Sequence, residues 1–437
     1  MKKFELIAFS INLVGIFLCI FINKFVGLGF IISSVFLDKK LILVNLILTP
    51  VYETAVVFVE GISLTKVLYS FYIFIFILYF YKNKNIKLIL IDFLVLFSIL
   101  LVLGLVNVSY YYETGVIDDF PLLSMFFYYF SRVVLFFLFF NYLINKSEEF
   151  IVKSTNYLCL ALIFVIPFLI FYFQANSIDI NWYNKAQRTI LAGSDPNELS
   201  IIIISLFPFF LFKKKLNIIF KVLLAFGCSY LLFSFASRSS LVLLLLLIIL
   251  FPFYYFSKNK NIALYFLLLF VVSNILFEYN VFDNFNMINR FVLSNDINDV
   301  TGNRFNLYKA SLQGFLENPI IGYGPSNSLA AAINFKNSRI DLVSHNIILE
   351  FLMTFGIIGV LAFIYLYTRY NKYFIREKNH ITKTFQFSLL FLLVGSLSLS
   401  WLWREILWVT FAIYFALNYL RYKKRLYENT SNNTIFN

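Results

Sequence analysis

The chain has 437 residues, of which 61% are hydrophobic, 21% aromatic and only 14% charged, with a mean hydropathy of +0.81. Soluble domains are about half apolar and a quarter charged, so this composition excludes a soluble globular enzyme and points to helices crossing a bilayer. The formal net charge is +13, but the lysines sit in short segments between apolar runs, where they set membrane topology and do not signal nucleic-acid binding.

In chain order, Lys2-Lys3 precedes a long apolar run with no small-residue cleavage site, which predicts a retained first helix. Apolar runs follow at 4–22, 26–37, 41–59, 62–81, 88–106, 122–144, 152–173, 199–212, 216–234, 240–256, 262–278, 346–368, 384–402 and 405–420. The second is short for a bilayer and fits a re-entrant segment; Glu53, Glu60 and Lys66 blur the limits of the third and fourth. The expected fold is an all-α polytopic transmembrane helical bundle of about 12 to 14 spans, with one large external loop containing short helices. It divides into N-terminal membrane helices (1–184), membrane helices with external arginine motifs (185–278), the large loop (279–345), and C-terminal helices with a tail (346–437). With the N-terminus in the cytoplasm, the lysine-rich segments 39–40, 82–87, 146–153, 213–215, 258–260, 369–383 and 421–425 all fall inside. Segments 107–121, 174–198, 235–239, 279–343 and the turn near 403 then fall outside, so both termini are expected in the cytoplasm. The polar tail from Glu428 is expected to be irregular. Cys19, Cys159 and Cys228 lie inside apolar runs without ligand spacing, and there are two histidines, so neither a metal nor a cofactor is expected.

Against this topology the arginines stand out: Arg188, Arg238, Arg290, Arg304, Arg339 and Arg404 all fall on the outer side. A guanidinium grips phosphate or carboxylate with two parallel hydrogen bonds, which an ammonium cannot. Any one of them could merely cap a helix or snorkel; together they predict an anion held at the membrane face. Arg188 precedes SDPNE, in which Asp195, Pro196 and Glu198 suit the N-cap, first turn and capping box of the next helix. Arg238 lies within ASRSS at the end of an apolar run. Arg132 falls near the middle of a span, where a charge is costly unless paired or functional; an ion pair with Glu53 or Glu60 would account for it.

The longest break in the apolar pattern runs from Thr301 to Gly356. It opens on Gly302-Asn303-Arg304 and an amphipathic helix with Phe305, Tyr308, Leu312 and Phe315 on one face, which is expected to pack on the membrane surface or the bundle. Asn318-Pro319 stops that helix, a turn with Gly322, Tyr323 and Gly324 follows, and Ser344-His345-Asn346 stands at the mouth of the next span. Ser344 suits the cap of that span, and His345 titrates in the range a general base needs. Tyr323 fits packing. At Trp401-Leu402-Trp403-Arg404-Glu405 the arginine is expected to pair with its neighbour Glu405. Arg290 and Arg339 have no informative neighbours and stand in the second rank with Arg132, Arg404 and Tyr323.

RTILAGSDPN before a helix, SRSS ending one, GNR followed by a helix and NPIIGYG, and SHNIILEFLMTFGIIG entering a span occur in this order over residues 185 to 365. In this the sequence resembles the O-antigen ligase and O-antigen polymerase family of bacterial surface polysaccharide assembly. The resemblance implies a metal-independent glycosyltransferase of GT-C type in the bacterial cytoplasmic membrane. Its partners would be an undecaprenyl-diphosphate-linked glycan donor, a glycan acceptor, the bilayer and a chain-length regulator. By position it makes Arg188, Arg238 and Arg304 the diphosphate-binding residues and His345 the catalytic one. Polymerase and ligase share this chemistry and are not separated by these motifs. A flippase for lipid-linked sugars is a different class; internal repeats and short outer loops would mark it, and neither is visible.

Overall fold

The structure is a computed structural model that describes residues 2–53, 64–82, 122–182, 186–191, 196–213, 215–234, 242–249, 304–323, 345–371, 380–399 and 404–433, with isolated positions between 92 and 102. Long apolar stretches have only one economical way to satisfy their backbone inside lipid, which is to close every hydrogen bond within the segment as a helix. The described elements follow that rule. They are α1 (Lys3–Phe21), α2 (Lys24–Leu37), α3 (Leu41–Tyr52), α4 (Leu64–Lys82), α5 (Leu122–Ile144), α6 (Glu148–Asn176), α7 (Pro196–Leu211), α8 (Ile218–Ser234), α9 (Arg304–Glu317), α10 (Ile347–Asn371), α11 (His380–Ser396) and α12 (Glu405–Asn433). The protein is a helical membrane protein. Four described helices are by themselves long and apolar enough to cross a membrane: Lys3–Phe21, Leu64–Lys82, Glu148–Ala175 and Ile347–Tyr365. The expected spans at 88–106, 240–256 and 262–278 lie wholly or largely outside the described residues.

Between α6 and α7 the chain forms an antiparallel hairpin, β1 (Ser177–Trp182) with β2 (Ala186–Leu191), in which Ile180 faces Arg188. An all-helical reading did not foresee it. The signal is the short alternation SIDINW and AQRTIL flanking a polar turn. The C-terminal tail departs from expectation as well: α12 continues through it to Asn433. A helix that is already nucleated extends at little cost, and Lys, Arg, Leu and Glu at 423–428 are favourable helix formers.

The core has an apolar body and one polar seam. α1 and α2 pack as a close hairpin: a Cβ on Gly27 would stand 2.5 Å from the Cys19 nitrogen, so only a hydrogen fits there. Behind them, Asn12 donates to Asn45 (3.0 Å), Ser34 donates to Asn12 (3.1 Å), and Asn45 donates to the Tyr72 hydroxyl (3.1 Å). All four side chains are fully buried. The seam ties α1, α2, α3 and α4 in one register, because each of these polar groups finds its partner only in that arrangement. α12 packs along α5 and α11, and α11 along α7.

The helices give the bundle two recognisable ends. Arg421, 16 residues along α12 from Glu405 and hence about 24 Å away, donates to Glu148 at the start of α6 (2.8 Å from Nε) and to Thr382 at the start of α11. At the same end Lys40 meets Glu5 (2.8 Å) and Asp38 (3.1 Å) and lies over the Tyr157 ring of α6. The basic segments 39–40, 146–153 and 421–425 therefore share one end. The turn between α11 and α12, with Arg404, marks the other.

Candidate functional site

At the Arg404 end several helix termini converge. The N-terminus of α7 supplies Glu198, and its carboxylate takes a two-pronged grip from Arg404, with Nε 3.0 Å from Oε1 and Nη2 on the second oxygen. Burial alone would discourage the Arg404 charge, but the Coulombic pull and hydrogen bonds of Glu198 outweigh it and hold the guanidinium above its ordinary range. One residue on, Glu405 pairs with Arg132 from the middle of α5, and both are buried. Two sequence expectations are corrected here. Arg404 bonds across the bundle to Glu198, with its neighbour Glu405 adding only a Coulombic pull; Arg132 takes Glu405 and not Glu53, and Glu60 lies outside the described residues. Glu53 instead accepts from Thr65 at the start of α4. The reason is steric. Neighbouring side chains at a helix start point in different directions, whereas α5, α7 and α12 all run from the Arg404 end towards the Arg421 end and bring Arg132, Glu198 and the start of α12 to a common level. Glu198 is thus bound to Arg404, and Asp195, its expected partner in the capping box, lies outside the described residues.

His345 stands at the mouth of α10, which is tied to the start of the α11–α12 turn. Its backbone has φ +51°, the left-handed region, and it is the sole non-glycine residue in that region among those described. Such a conformation is uncommon for a residue with a Cβ and is kept only where the surroundings dictate it. Directly after it, the Asn346 carboxamide oxygen accepts from the amides of Ile348 (3.0 Å) and Leu349 (3.1 Å), so Asn346 is the N-cap of α10, where Ser344 was expected. An asparagine one residue before the first helical turn reaches those amides better than a serine three residues before it. The Asn346 amide nitrogen in turn donates to the Leu397 carbonyl in the α11–α12 turn (3.1 Å), and the Tyr308 hydroxyl of α9 donates to the same carbonyl (3.4 Å). His345 is thereby set next to the turn that carries Arg404, with its Nδ1 shielded from solvent.

α9 begins at Arg304 and stops before Asn318-Pro319 as expected. Against the bundle it buries Leu307, Ala310, Ser311 and Gly314, while Phe305 and Leu312 are exposed, so of the two settings expected for that aromatic face, membrane surface or bundle, the bundle is not the one it takes. Small residues let the backbone of α9 lie close to α10, and close approach outweighs the burial of large rings. Tyr323 is buried and donates to Glu317 at 3.0 Å, which matches a packing role.

The feature that sequence reasoning missed lies inside α10. The helix breaks at Gly356 (φ +57°, ψ −158°), and the segment 319–323 fills the break. The Ile357 amide donates to the Pro319 carbonyl (2.8 Å), the Ile358 amide to Ile320 (3.0 Å), and the Tyr323 amide to Met353 (2.7 Å). NPIIGYG and TFGIIG are thus two halves of one joint. Glu350 and Thr354, buried on the short upper half of α10, accompany it. The legible signal was a glycine in the middle of an apolar span, paired in number with a glycine in the preceding loop.

Of the expected diphosphate residues, Arg188 lies in mid-strand of β2 in the connection leading to the α7 end, and Arg304 opens α9 beside α10. Arg238, Arg290 and Arg339 lie outside the described residues. Among the described residues no group of three or more His, Cys, Asp or Glu side chains converges as a metal site. Two of the arginines with described side chains, Arg132 and Arg404, are committed to carboxylates.

Residues 222–364 match the family described as O-antigen ligase. No curated protein matches the chain.

Proposed function

Starting from a chain whose residues 222–364 carry the pattern of the O-antigen ligase family, we propose that it is a glycosyltransferase of polysaccharide repeat units. It moves a growing glycan from undecaprenyl diphosphate onto the next lipid-linked unit, at the external face of a bacterial cytoplasmic membrane, with both termini in the cytoplasm. The observation that carries this reading is the placement of His345, a left-handed residue at a helix mouth, inside the matched segment and beside the α11–α12 turn.

His345 takes the proton from the acceptor hydroxyl as that oxygen attacks the anomeric carbon. The glycosyl–phosphate bond breaks, and undecaprenyl diphosphate leaves with the electron pair. The charge that grows on the leaving diphosphate needs fixed donors in a partly dry site, and Arg188, Arg238 and Arg304 are assigned to it. Arg132 and Arg404 are not, since their forks already hold Glu405 and Glu198. The donor linkage supplies the driving force, so no nucleotide is required.

Deletion of the gene followed by glycan analysis tests the assignment. Single repeat units left on lipid or core, restored to polymer by the intact protein but not by His345→Ala, are the expected result. A second reading has the family description in its favour: a ligase that moves finished polymer to lipid A core or to protein. Long lipid-linked polymer that never reaches an acceptor would select it. Unchanged surface glycan would remove both.

A further inference from the structure

In an unbroken α-helix the amide of Ile357 would bond to the Met353 carbonyl and that of Ile358 to Thr354, four residues back. Here both amides go to segment 319–323, and the Met353 carbonyl takes the Tyr323 amide in exchange. One turn of α10 has been replaced by a piece of the preceding loop. Unsatisfied backbone groups are costly at membrane depth, so segment 319–323 completes the span and does not merely lie against it. Two glycines make the exchange possible. Gly356 occupies a region open essentially to glycine, and Gly322 has φ +67°. A Cβ on Gly322 would stand 2.6 Å from the Met353 carbonyl oxygen, and one on Gly356 would stand 2.5 Å from the Ile320 carbonyl oxygen.

From this we infer that Gly322 and Gly356 are positioning residues for His345. The break frees the upper half of α10, residues 347–355, from the direction of its own span and ties it to α9. The far end of that half is fixed as well, because Asn346 and Tyr308 share the Leu397 carbonyl. His345 therefore moves with the loop helix α9, which begins at Arg304, and base and diphosphate ligand belong to one body. The inference rests on the transfer reaction proposed above.

The test uses the full chain in lipid nanodiscs for hydrogen exchange, and membranes of the deletion strain with their native lipid-linked glycan for transfer rates. In Gly322→Ala and Gly356→Ala, peptides covering 319–323 and 353–358 should lose protection together, while α11 and α12 keep theirs. Transfer should fall at least about 100-fold, and the pH of half-maximal rate should move. Gly29→Ala, whose Cβ meets nothing within 4 Å, should match wild type. If the alanine variants do not accumulate, Tyr323→Phe decides: loss of the hydroxyl held by Glu317 should cut transfer about fivefold and shift the same pH midpoint. Loss of protection in one segment alone, wild-type transfer after joint loss, or an unmoved pH midpoint overturns the inference. Wild-type transfer by His345→Ala would overturn the proposed reaction instead, and the exchange result would still report on the joint.

Discussion

At the Arg421 end, helices terminate and side chains close them: Arg421 on Glu148 and Thr382, and Lys40 on Glu5 and Asp38. The backbone there is regular among the described residues. At the Arg404 end ion pairs also form, with Arg132 on Glu405 and Arg404 on Glu198, but the backbone is not regular. That end holds the left-handed His345 and receives the hairpin β1–β2, and α10, which begins there, is broken by Gly356. Ion pairs thus occur at both ends and do not mark a site. Irregular backbone, which is costly at membrane depth and must be satisfied by dedicated partners, occurs at one among the described residues.

The sharpest way to break the contrast is to remove the group on which it turns. His345→Ala should lower the transfer rate by about 10²- to 10⁴-fold, the usual contribution of a general base, without loss of protein from the membrane. Polymer yield and protein level in a complemented deletion strain measure both. Next in size is the ion pair at that end. Arg132→Ala leaves Glu405 buried without its cation and should cost about 3 kcal/mol of stability, whereas Arg132→Leu with Glu405→Leu should recover most of it. Thermal unfolding in detergent, arranged as a double-mutant cycle, gives the coupling.

At the other end Arg421→Ala should cost about 1–3 kcal/mol, discounted because Glu148 is partly exposed, and should leave the transfer rate per folded molecule at the wild-type value. A changed rate there would erase the distinction between the two ends. The smallest effect is expected from the seam between them. Asn45→Leu strands partners on Asn12 and Tyr72 and should cost about 1–2 kcal/mol, the upper part of the range for hydrogen bonds between membrane helices. The melting temperature should fall while the pH profile of transfer stays fixed.

Legibility in the sequence followed the range of the interaction. Helix limits set by local chemistry were readable: α9 ends where Asn318-Pro319 forbids another turn, and α3 begins after the charged residues Asp38 to Lys40. Side-chain pairings were not. Arg404 sits beside Glu405 in the chain yet bonds to Glu198, 206 residues away, and Arg132 finds its partner 273 residues away. The cap of α10 is Asn346, two residues beyond the expected Ser344, since both residue types offer the same capping chemistry and composition does not choose between them. His345 was visible as a residue type, but its left-handed backbone was not.

By itself, the amino-acid order dictated a membrane-embedded helical chain, its basic and arginine-bearing segments, and the motifs by which it resembles a polysaccharide-transferring family. These follow from hydropathy, charge and short spacing, and none needs to know where the chain returns. Tertiary structure alone decided which arginines were already occupied, and that NPIIGYG is the missing turn of α10. Both depend on which backbones come within hydrogen-bond reach, and that is fixed by how the helices pack.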